Sequence, residues 1–142
     1  MENSSSSKLR DNSLVITTFP YSETVMAKMA VTARDGIGLS AVQIGKMDQI
    51  FLIKETKQSS PTFYCNPKVL FKWWIAPNKE TCLSLGKQVY IVDRPKLLVA
   101  TYQTPKGKRK IGVFIDKGAH VFDHEFDHLQ GICIDQKGVA SK

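Results

Sequence analysis

Apolar residues recur every three or four positions in two segments of the chain, and this spacing is the period of an amphipathic helix. The first segment predicts a helix over residues 22–34. We interpret its methionine-rich apolar side as core packing rather than as a cofactor contact. The second segment predicts a helix that begins at Asp116 or Lys117 and ends at about Leu129, shortly before a glycine.

Short apolar runs bounded by turn residues predict strands in the rest of the chain. They lie at Gln49–Lys54, Thr62–Tyr64, Val69–Lys72, Gln88–Val92, Lys96–Tyr102 and Arg109–Phe114. Strands around one embedded helix predict an α+β fold, with antiparallel or mixed sheets packed around that helix. With 142 residues, 42% of them hydrophobic, we expect a single domain over residues 1–142 with a substantial core. The polar stretch 1–8 predicts a disordered tail.

Composition narrows the classes of function. No apolar run approaches the length that spans a bilayer and no signal peptide is visible, so we expect no membrane partner. The three cysteines form an odd set without zinc-finger spacing, which argues against a secreted disulfide framework and favours a reducing cytoplasm. Nothing in the sequence indicates an obligate assembly, and we expect a monomer.

The net charge of +7 raises the question of nucleic-acid binding. Cationic residues cluster in or beside a predicted hairpin turn, at Lys106, Lys108, Arg109 and Lys110. A solvated turn is the ordinary explanation. A weak, sequence-independent association with ribosomal RNA is the functional alternative. No motif supports sequence-specific recognition of nucleic acid.

Residues 124–128 read His-Glu-Phe-Asp-His within the second predicted helix. Positions four apart share a helix face, so His124 and His128 would direct two imidazoles at one point, with Glu125 beside it. Two imidazoles and a carboxylate suit a catalytic divalent metal, which needs ligands and a base. His120 lies on the same face one turn earlier. The alternative is a surface helix with two solvated histidines.

The third ligand is less evident. Only fourteen residues follow His128 and none is Glu or His, which counts against the ligand arrangement of many zinc peptidases. The downstream candidates are Cys133 and Asp135. The upstream candidate is Cys82, whose thiolate would suit zinc or ferrous iron. From its local sequence, Cys82 is explained equally well as a small buried hydrophobic residue.

Residues 36–45 read Gly-Ile-Gly-Leu-Ser-Ala-Val-Gln-Ile-Gly. Glycines permit close backbone approach, and the apolar residues between them suit a pocket wall. Gln43 brings one amide into this apolar run. Taken alone, the segment is weak evidence for a site, because such a glutamine is more often a capping or satisfied core amide.

Taken together and in this order, three segments resemble the signature motifs of peptide deformylases: the glycine-rich run at 36–43, Glu-Thr-Cys-Leu-Ser at 80–84 and His-Glu-Phe-Asp-His-Leu at 124–129. Asn66-Pro67 extends the resemblance, which reaches from residue 9 to residue 133. It implies the α+β peptide deformylase fold. It also implies a metal-dependent hydrolase that removes the N-formyl group from N-formylmethionyl peptides of nascent chains and releases formate.

The resemblance further implies roles for individual residues. The metal ligands are then Cys82, His124 and His128. Glu125 matches the general acid/base, and Gln43 with the backbone N–H of Leu83 matches the pair that stabilises the tetrahedral oxyanion. The residues expected to contact substrate are Ile37, Gly38, Leu39, Thr81, His120 and Val121. The cofactor implied is one divalent ion per chain, natively ferrous iron, with zinc, nickel or cobalt as substitutes.

Several positions depart from the usual pattern of the family. Thr81 stands where glycine is usual, Gly86 where proline is common, Ser40 where alanine is more usual and Asp123 where glutamine is frequent. The C-terminal helix of many bacterial members is also missing. In that respect the chain resembles the shortened deformylases of some bacteriophages, which would act in a host cytoplasm. The alternatives are a small zinc peptidase and a catalytically idle ribosome-associated or metal-storage protein.

Overall fold

Antiparallel strands dominate the structure, a computed structural model that describes residues 13–82 and 85–141. The strands are β1 Gly38–Ser40, β2 Ile50–Ile53, β3 Thr62–Glu80, β4 Tyr90–Gln103, β5 Arg109–Ile115 and β6 Val139–Ala140. They form one sheet in the order β1-β2-β3-β4-β5, and β6 pairs with the first residues of β4. The predicted tail at 1–8 and the predicted role of Leu83 lie outside the described residues.

Helices cover the sheet and connect its strands. Those of the described residues are α1 Glu23–Thr32, α2 Asp116–Leu129 and α3 Ile134–Lys137, together with a 3₁₀ turn at Ala41–Ile44. The predicted α+β class is confirmed, and α2 has the predicted bounds. Helix α1 begins one residue later than predicted, because Ser22 caps its start by accepting a hydrogen bond from Val25 N at 3.2 Å, and it ends two residues earlier, at Thr32. No helix in this part of the chain is long and apolar enough to cross a bilayer.

The two central strands are much longer than predicted. The predicted strands Thr62–Tyr64 and Val69–Lys72 both fall on β3. The predicted strands Gln88–Val92 and Lys96–Tyr102 both fall on β4. The prediction divided them because polar residues and prolines usually end a strand. Strand β1 was not predicted, since three residues are too few to show an alternating pattern.

Prolines are tolerated in these long strands because each lies where the strand has a neighbour on only one side. Strand β2 pairs with β3 only as far as Cys65, so Pro67 and Pro77 follow the point where that pairing stops. Pro95 of β4 lies between the stretches that pair with β6 and with β5. The N–H that each proline lacks therefore costs the sheet no hydrogen bond on the side without a neighbouring strand.

Helix α2 packs its apolar side against the inner face of the sheet. Phe122 is fully buried, and its ring lies 4.9 Å from that of Phe51 and 4.5 Å from that of Phe114, between centroids. Leu98 and Ala100 of β4 belong to the same cluster. Burying one phenylalanine side chain contributes up to about 3 kcal/mol. A rotation of α2 would expose Phe122, so this packing sets the direction of the histidines that follow it.

Asn66 attaches the segment before α1 to the sheet. Its side-chain oxygen accepts a hydrogen bond from Ile16 N at 2.7 Å, and its amide nitrogen donates to Ile16 O and Gln103 Oε1, both at 2.8 Å. Its φ is 49°, a region that asparagine enters more readily than most residues. It lies at the irregularity of β3 between Cys65 and Lys68.

We expect Asn66→Ala to lower the free energy of unfolding by about 2–4 kcal/mol, because three hydrogen bonds worth about 1 kcal/mol each are lost at a strained φ. Urea denaturation measures the change. Asn66→Gly is the matched control: it also removes the bonds but accepts the positive φ, so its loss should be smaller. Wild-type stability in Asn66→Ala would show that these bonds do not hold the segment.

Candidate active site

A cavity of about 510 Å³ opens beside α2, between the start of β1 and the end of β3. Nine residues that the sequence singled out line it: Ile37, Gly38, Gln43, Thr81, Cys82, His120, Val121, His124 and Glu125. They come from the three motif segments and from the helical turn before the third, which are far apart in the sequence. Folding therefore brings the motif segments to one cavity.

Two of the residues expected to contact substrate or its oxyanion are not among these nine. Leu39 is 1% exposed and packs in a core cluster with Met29 and Leu52, because alternation along β1 turns its side chain away from the side that Gly38 presents to the cavity. The predicted contact between Leu39 and substrate would therefore involve its backbone rather than its side chain. Leu83 lies outside the described residues.

A sulfur and two nitrogens converge at the inner end of the cavity. Cys82 Sγ lies 3.3 Å from His128 Nε2, which lies 3.2 Å from His124 Nε2. All three ligand atoms are within 4.8 Å of one another, and all three residues are buried. Tetrahedral bonds of about 2.0–2.3 Å to one ion separate ligand atoms by roughly 3.3–3.8 Å. The set therefore fits one divalent ion, whereas Cys133 packs in the core cluster around α2.

The two imidazoles differ in proton affinity. Burial, together with the charge of His124, lowers the pKa of His128 to about 3. Burial also disfavours the charged form of His124, but hydrogen bonds with Cys82 and Glu80 outweigh it and raise the pKa of His124 to about 10. A histidine ligand binds metal as the neutral ring, so a cation that binds here displaces a proton from His124.

Glu80 orients the first histidine. Its Oε1 lies 2.8 Å from His124 Nδ1, so the opposite nitrogen Nε2 is directed at Cys82 and His128. Burial alone would raise the pKa of Glu80, but hydrogen bonds from His124 and Arg94 lower it to about 2. An ionised carboxylate behind a ligating imidazole holds its tautomer and raises its basicity.

Arg94 joins Glu80 to α2. Its guanidinium is 1% exposed, donates to Glu80 through Nε at 2.7 Å and Nη2 at 3.0 Å, and donates through Nη1 to Asp123 and Asp127. Lysines complete the network, because Lys72 lies 2.6 Å from Asp123 and Lys137 lies 3.0 Å from Asp127. Three cations thus face three carboxylates; Arg94 and the carboxylates are buried, whereas the two lysines are about one third exposed.

Sequence reasoning missed this network. Glu80 was quoted only as part of a motif, and Arg94 lies in a segment predicted as a break between strands. One signal was available: Asp123 and Asp127 are four residues apart, so both carboxylates share a helix face and need a buried cation if that face packs inward.

Glu125 is buried beside the metal-binding atoms. Ser40 Oγ donates to its Oε1 at 2.8 Å, and its Oε2 lies 3.9 Å from His124 Nε2. Burial raises the pKa of Glu125, and the charge of His124 and the bond from Ser40 partly oppose that rise. A carboxyl group with a raised pKa can both accept and return a proton near neutral pH.

Gln43 is a capping residue, one of the interpretations that its sequence left open. Its Oε1 accepts a hydrogen bond from Ser40 N at 2.9 Å, which caps the 3₁₀ turn. Its Nε2 lies 3.5 Å from Cys82 Sγ. The capping bond therefore directs the amide donor at the metal-binding atoms.

Departures from the usual motifs have physical consequences here. Thr81 is exposed and adds a side chain to the cavity wall. Gly86 has a φ of 74°, which a proline at this position could not adopt. Ser40 supplies a hydroxyl that alanine lacks, and Asp123 adds a charge to the network of Arg94.

The fold and the site together define a class of protein. A small α+β domain carries a His-Glu-x-x-His helix, a thiol within reach of both imidazoles, a buried carboxyl group and an open cavity. Such an arrangement can hold a divalent ion and support metal-assisted hydrolysis.

The polypeptide deformylase family model matches residues 3–141, and the chain belongs to this family. The peptide deformylase of Finegoldia magna is 38% identical over 104 residues, covering 72% of this chain and 64% of the relative. That of Pseudothermotoga lettingae is 36% identical over 104 residues, covering 70% and 57%. The chain thus spans less than two thirds of the length of these relatives.

Solved deformylase structures share the fold. That of Synechococcus elongatus, in complex with actinonin, has a TM-score of 0.84 and 28% identity, covering 92% of this chain and 75% of the other. That of Plasmodium falciparum has a TM-score of 0.86 and 25% identity, covering 92% and 81%. The predicted deformylase fold is therefore confirmed.

Gly38 is packed against Glu125, the predicted general base. A Cβ on Gly38 would lie 2.7 Å from Glu125 Oε2 and 3.0 Å from Val121 Cγ1. We expect Gly38→Ala to displace the Glu125 carboxylate and to lower kcat at least 10-fold on a formyl-methionyl peptide, a change of about 1.4 kcal/mol or more in the barrier. Gly118→Ala is the control, since nothing lies within 4 Å of its Cβ. Equal rates in both variants would contradict the proposed contact.

Ser40→Ala removes the hydroxyl that donates to Glu125. The bond stabilises the charged carboxylate and so lowers its pKa. Its loss should raise that pKa, so the acid limb of the pH profile of kcat/KM moves to higher pH while metal content stays unchanged. Steady-state rates between pH 5 and 8 measure the limb. Ser22→Ala, which removes a hydroxyl from the cap of α1, is the control and should leave the limb in place.

Proposed function

We propose that the protein hydrolyses the N-formyl group of N-formylmethionyl peptides and releases formate. One observation carries this proposal: the thiol of Cys82 and the imidazoles of His124 and His128 meet beside the buried Glu125 at the end of a peptide-sized cavity. Membership of the polypeptide deformylase family supports the same reaction. Residues 1–142 would act as one catalytic domain.

A divalent ion would be held by Cys82 Sγ, His124 Nε2 and His128 Nε2. The thiolate–imidazole set suits several transition metals; we propose ferrous iron as the native ion, with zinc, nickel or cobalt able to substitute. When bound, such an ion polarises a carbonyl oxygen and makes water more acidic. Glu80 and Arg94 hold the first imidazole in the ligating orientation.

Glu125 would remove the proton from the attacking water and later deliver it to the leaving amine. Burial suits this exchange, because it raises the pKa of the carboxyl group towards the working pH. Ser40 keeps the carboxylate aimed into the cavity.

Gln43 and the backbone N–H of Leu83 would stabilise the oxyanion of the tetrahedral intermediate. Each such donor contributes about 3 kcal/mol in other acyl-transfer enzymes. For Gln43, the capping bond to Ser40 N supports the role, since it leaves the amide N–H groups on the cavity side.

The substrate would lie between β1 and α2. Strand β1 is at the edge of the sheet, so its backbone is available to an extended peptide along Ile37, Gly38 and Leu39. Val121 and His120 would line the pocket for the methionine side chain, and Thr81 would face the peptide at the mouth.

Substrates would be nascent chains in a reducing cytoplasm, which in a virus-infected cell is that of the host. The free thiols of Cys65 and Cys82 support this setting. The exposed hairpin turn with Lys106 and Lys108 supports a weak association with ribosomal RNA.

Two substitutions separate metal binding from catalysis. Glu125→Ala should keep full metal content and lose formate release from formyl-Met-Ala-Ser, whereas Cys82→Ala should lose both, because a ligand is removed. Metal analysis and formate assays under oxygen-free conditions with iron-loaded protein measure these outcomes. Cys65→Ala is the matched control, since Cys65 is buried in the core and should retain both.

Other products identify the alternatives. Cleavage of an internal peptide bond would indicate a peptidase, and neither product would indicate a catalytically idle protein. Full metal content and rate in Cys82→Ala would show that the ligand set is wrong.

A further inference from the structure

The side of the sheet opposite α2 is apolar and open to solvent. Strand pairing aligns two rows of side chains on it, Trp73–Leu97–Ile115 and Phe71–Val99–Val113. Ile75 and Ile111 extend these rows at either end. We call the surface formed by these eight residues the outer face; it contains no charged residue. Leu98 and Phe114, which alternate with its members, point to the core instead.

The exposure of the outer face is unusual for side chains of this size. Trp73 is 65% exposed, Ile111 70%, Val113 64%, Ile115 62%, and Phe71 and Ile75 about half. The rings of Phe71 and Trp73 meet edge to face at 6.4 Å. At about 150–200 Å² for each large side chain, the outer face leaves roughly 600–700 Å² of apolar area in water. The largest apolar patch of a typical monomer is about 300–600 Å².

We propose that a second copy of this chain covers the outer face, giving a two-fold dimer in which the two sheets pack face to face. Two such faces would bury roughly 1,200–1,400 Å², within the range of about 1,200–2,000 Å² for specific interfaces. An uncharged sheet surface can be complementary to itself under a two-fold axis, and twisted sheets pack face to face in sandwiches. The sequence itself predicts a monomer, because nothing in it indicates an obligate assembly.

The dimer would leave the catalytic cavity accessible. No residue of the outer face lines that cavity, which opens on the α2 side of the sheet. Substitutions on the outer face should therefore change the association state and leave the hydrolytic rate per chain unchanged.

Val113→Lys tests the proposal, because a dimer would bury this charge without a partner. Analytical ultracentrifugation of the full chain between 1 and 100 µM, a range set by about micromolar affinity for such an interface, should give twice the 15.9 kDa chain mass. Val113→Lys should sediment as one chain, with at least a 10-fold weaker association. Val31→Lys is the matched control: Val31 is 68% exposed on α1, and its substitution should leave the dimer intact.

Tryptophan emission gives a second readout. Both tryptophans of the chain are in β3: Trp73 belongs to the outer face, and Trp74 is the next residue. Emission of the wild type should shift to shorter wavelength as concentration rises, and that of Val113→Lys should not. If Val113→Lys fails to fold by circular dichroism, Ile111→Lys replaces it.

Salt separates a dimer from a charged partner. Each chain carries a net charge of +7, so raising the ionic strength screens repulsion and should strengthen the dimer. A single-chain mass at every concentration and salt level, or an unchanged dimer in Val113→Lys, would overturn the proposal. So would a single-chain mass combined with binding to phosphatidylglycerol vesicles, since a lipid surface rather than a second copy would then be the partner.

Discussion

The buried guanidinium of Arg94 is the interaction on which the rest of the structure depends. It joins β4 to the end of β3 through Glu80 and to α2 through Asp123 and Asp127. Removing such a charge from water costs several kcal/mol, which only a full set of well-placed carboxylates offsets. The bonds of Arg94 therefore favour one height of α2 against the sheet. The direction of the His124 ring follows from that height.

Apolar packing and the charge network of Arg94 both position α2, in different ways. Phe122 and Leu98 hold the helix against the sheet, but an apolar contact tolerates sliding. Directional bonds from Arg94 remove that freedom. Lys72 and Lys137 then balance the carboxylates that Arg94 alone would leave in excess.

Much of the site could be predicted from sequence because its residues lie in short motifs. Helical spacing alone brings His124 and His128 together, and the resemblance to deformylases supplied Cys82. The partners of Arg94 are 14, 29 and 33 residues away, and no local period relates residues on three elements. The hydrogen bond from Ser40 to Glu125 spans 85 residues and was beyond sequence reasoning for the same reason.

The fold was predicted in class and in its main helix, but the sheet was predicted only in pieces. The strand β5 was located correctly, and the larger apolar side chains of such a strand would ordinarily point inward. Ile111, Val113 and Ile115 point outward instead, because the inward positions are occupied by Gly112 and Phe114 next to the rings of Tyr102 and Phe122. Hydrophobicity predicts which residues avoid water; it does not tell whether the chain itself or another molecule covers them.

The prolines of β3 and β4 limit how copies of the chain can join. An open strand edge is a template on which further strands can add, and such growth has no end point. Pro77 interrupts the row of donors along the part of β3 that β2 leaves unpaired, so lateral addition of a foreign strand is disfavoured there. A molecule with an exposed apolar sheet surface thus has a proline at its unpaired strand edge. Proline there disfavours the edge-to-edge strand addition with which fibrous aggregation begins.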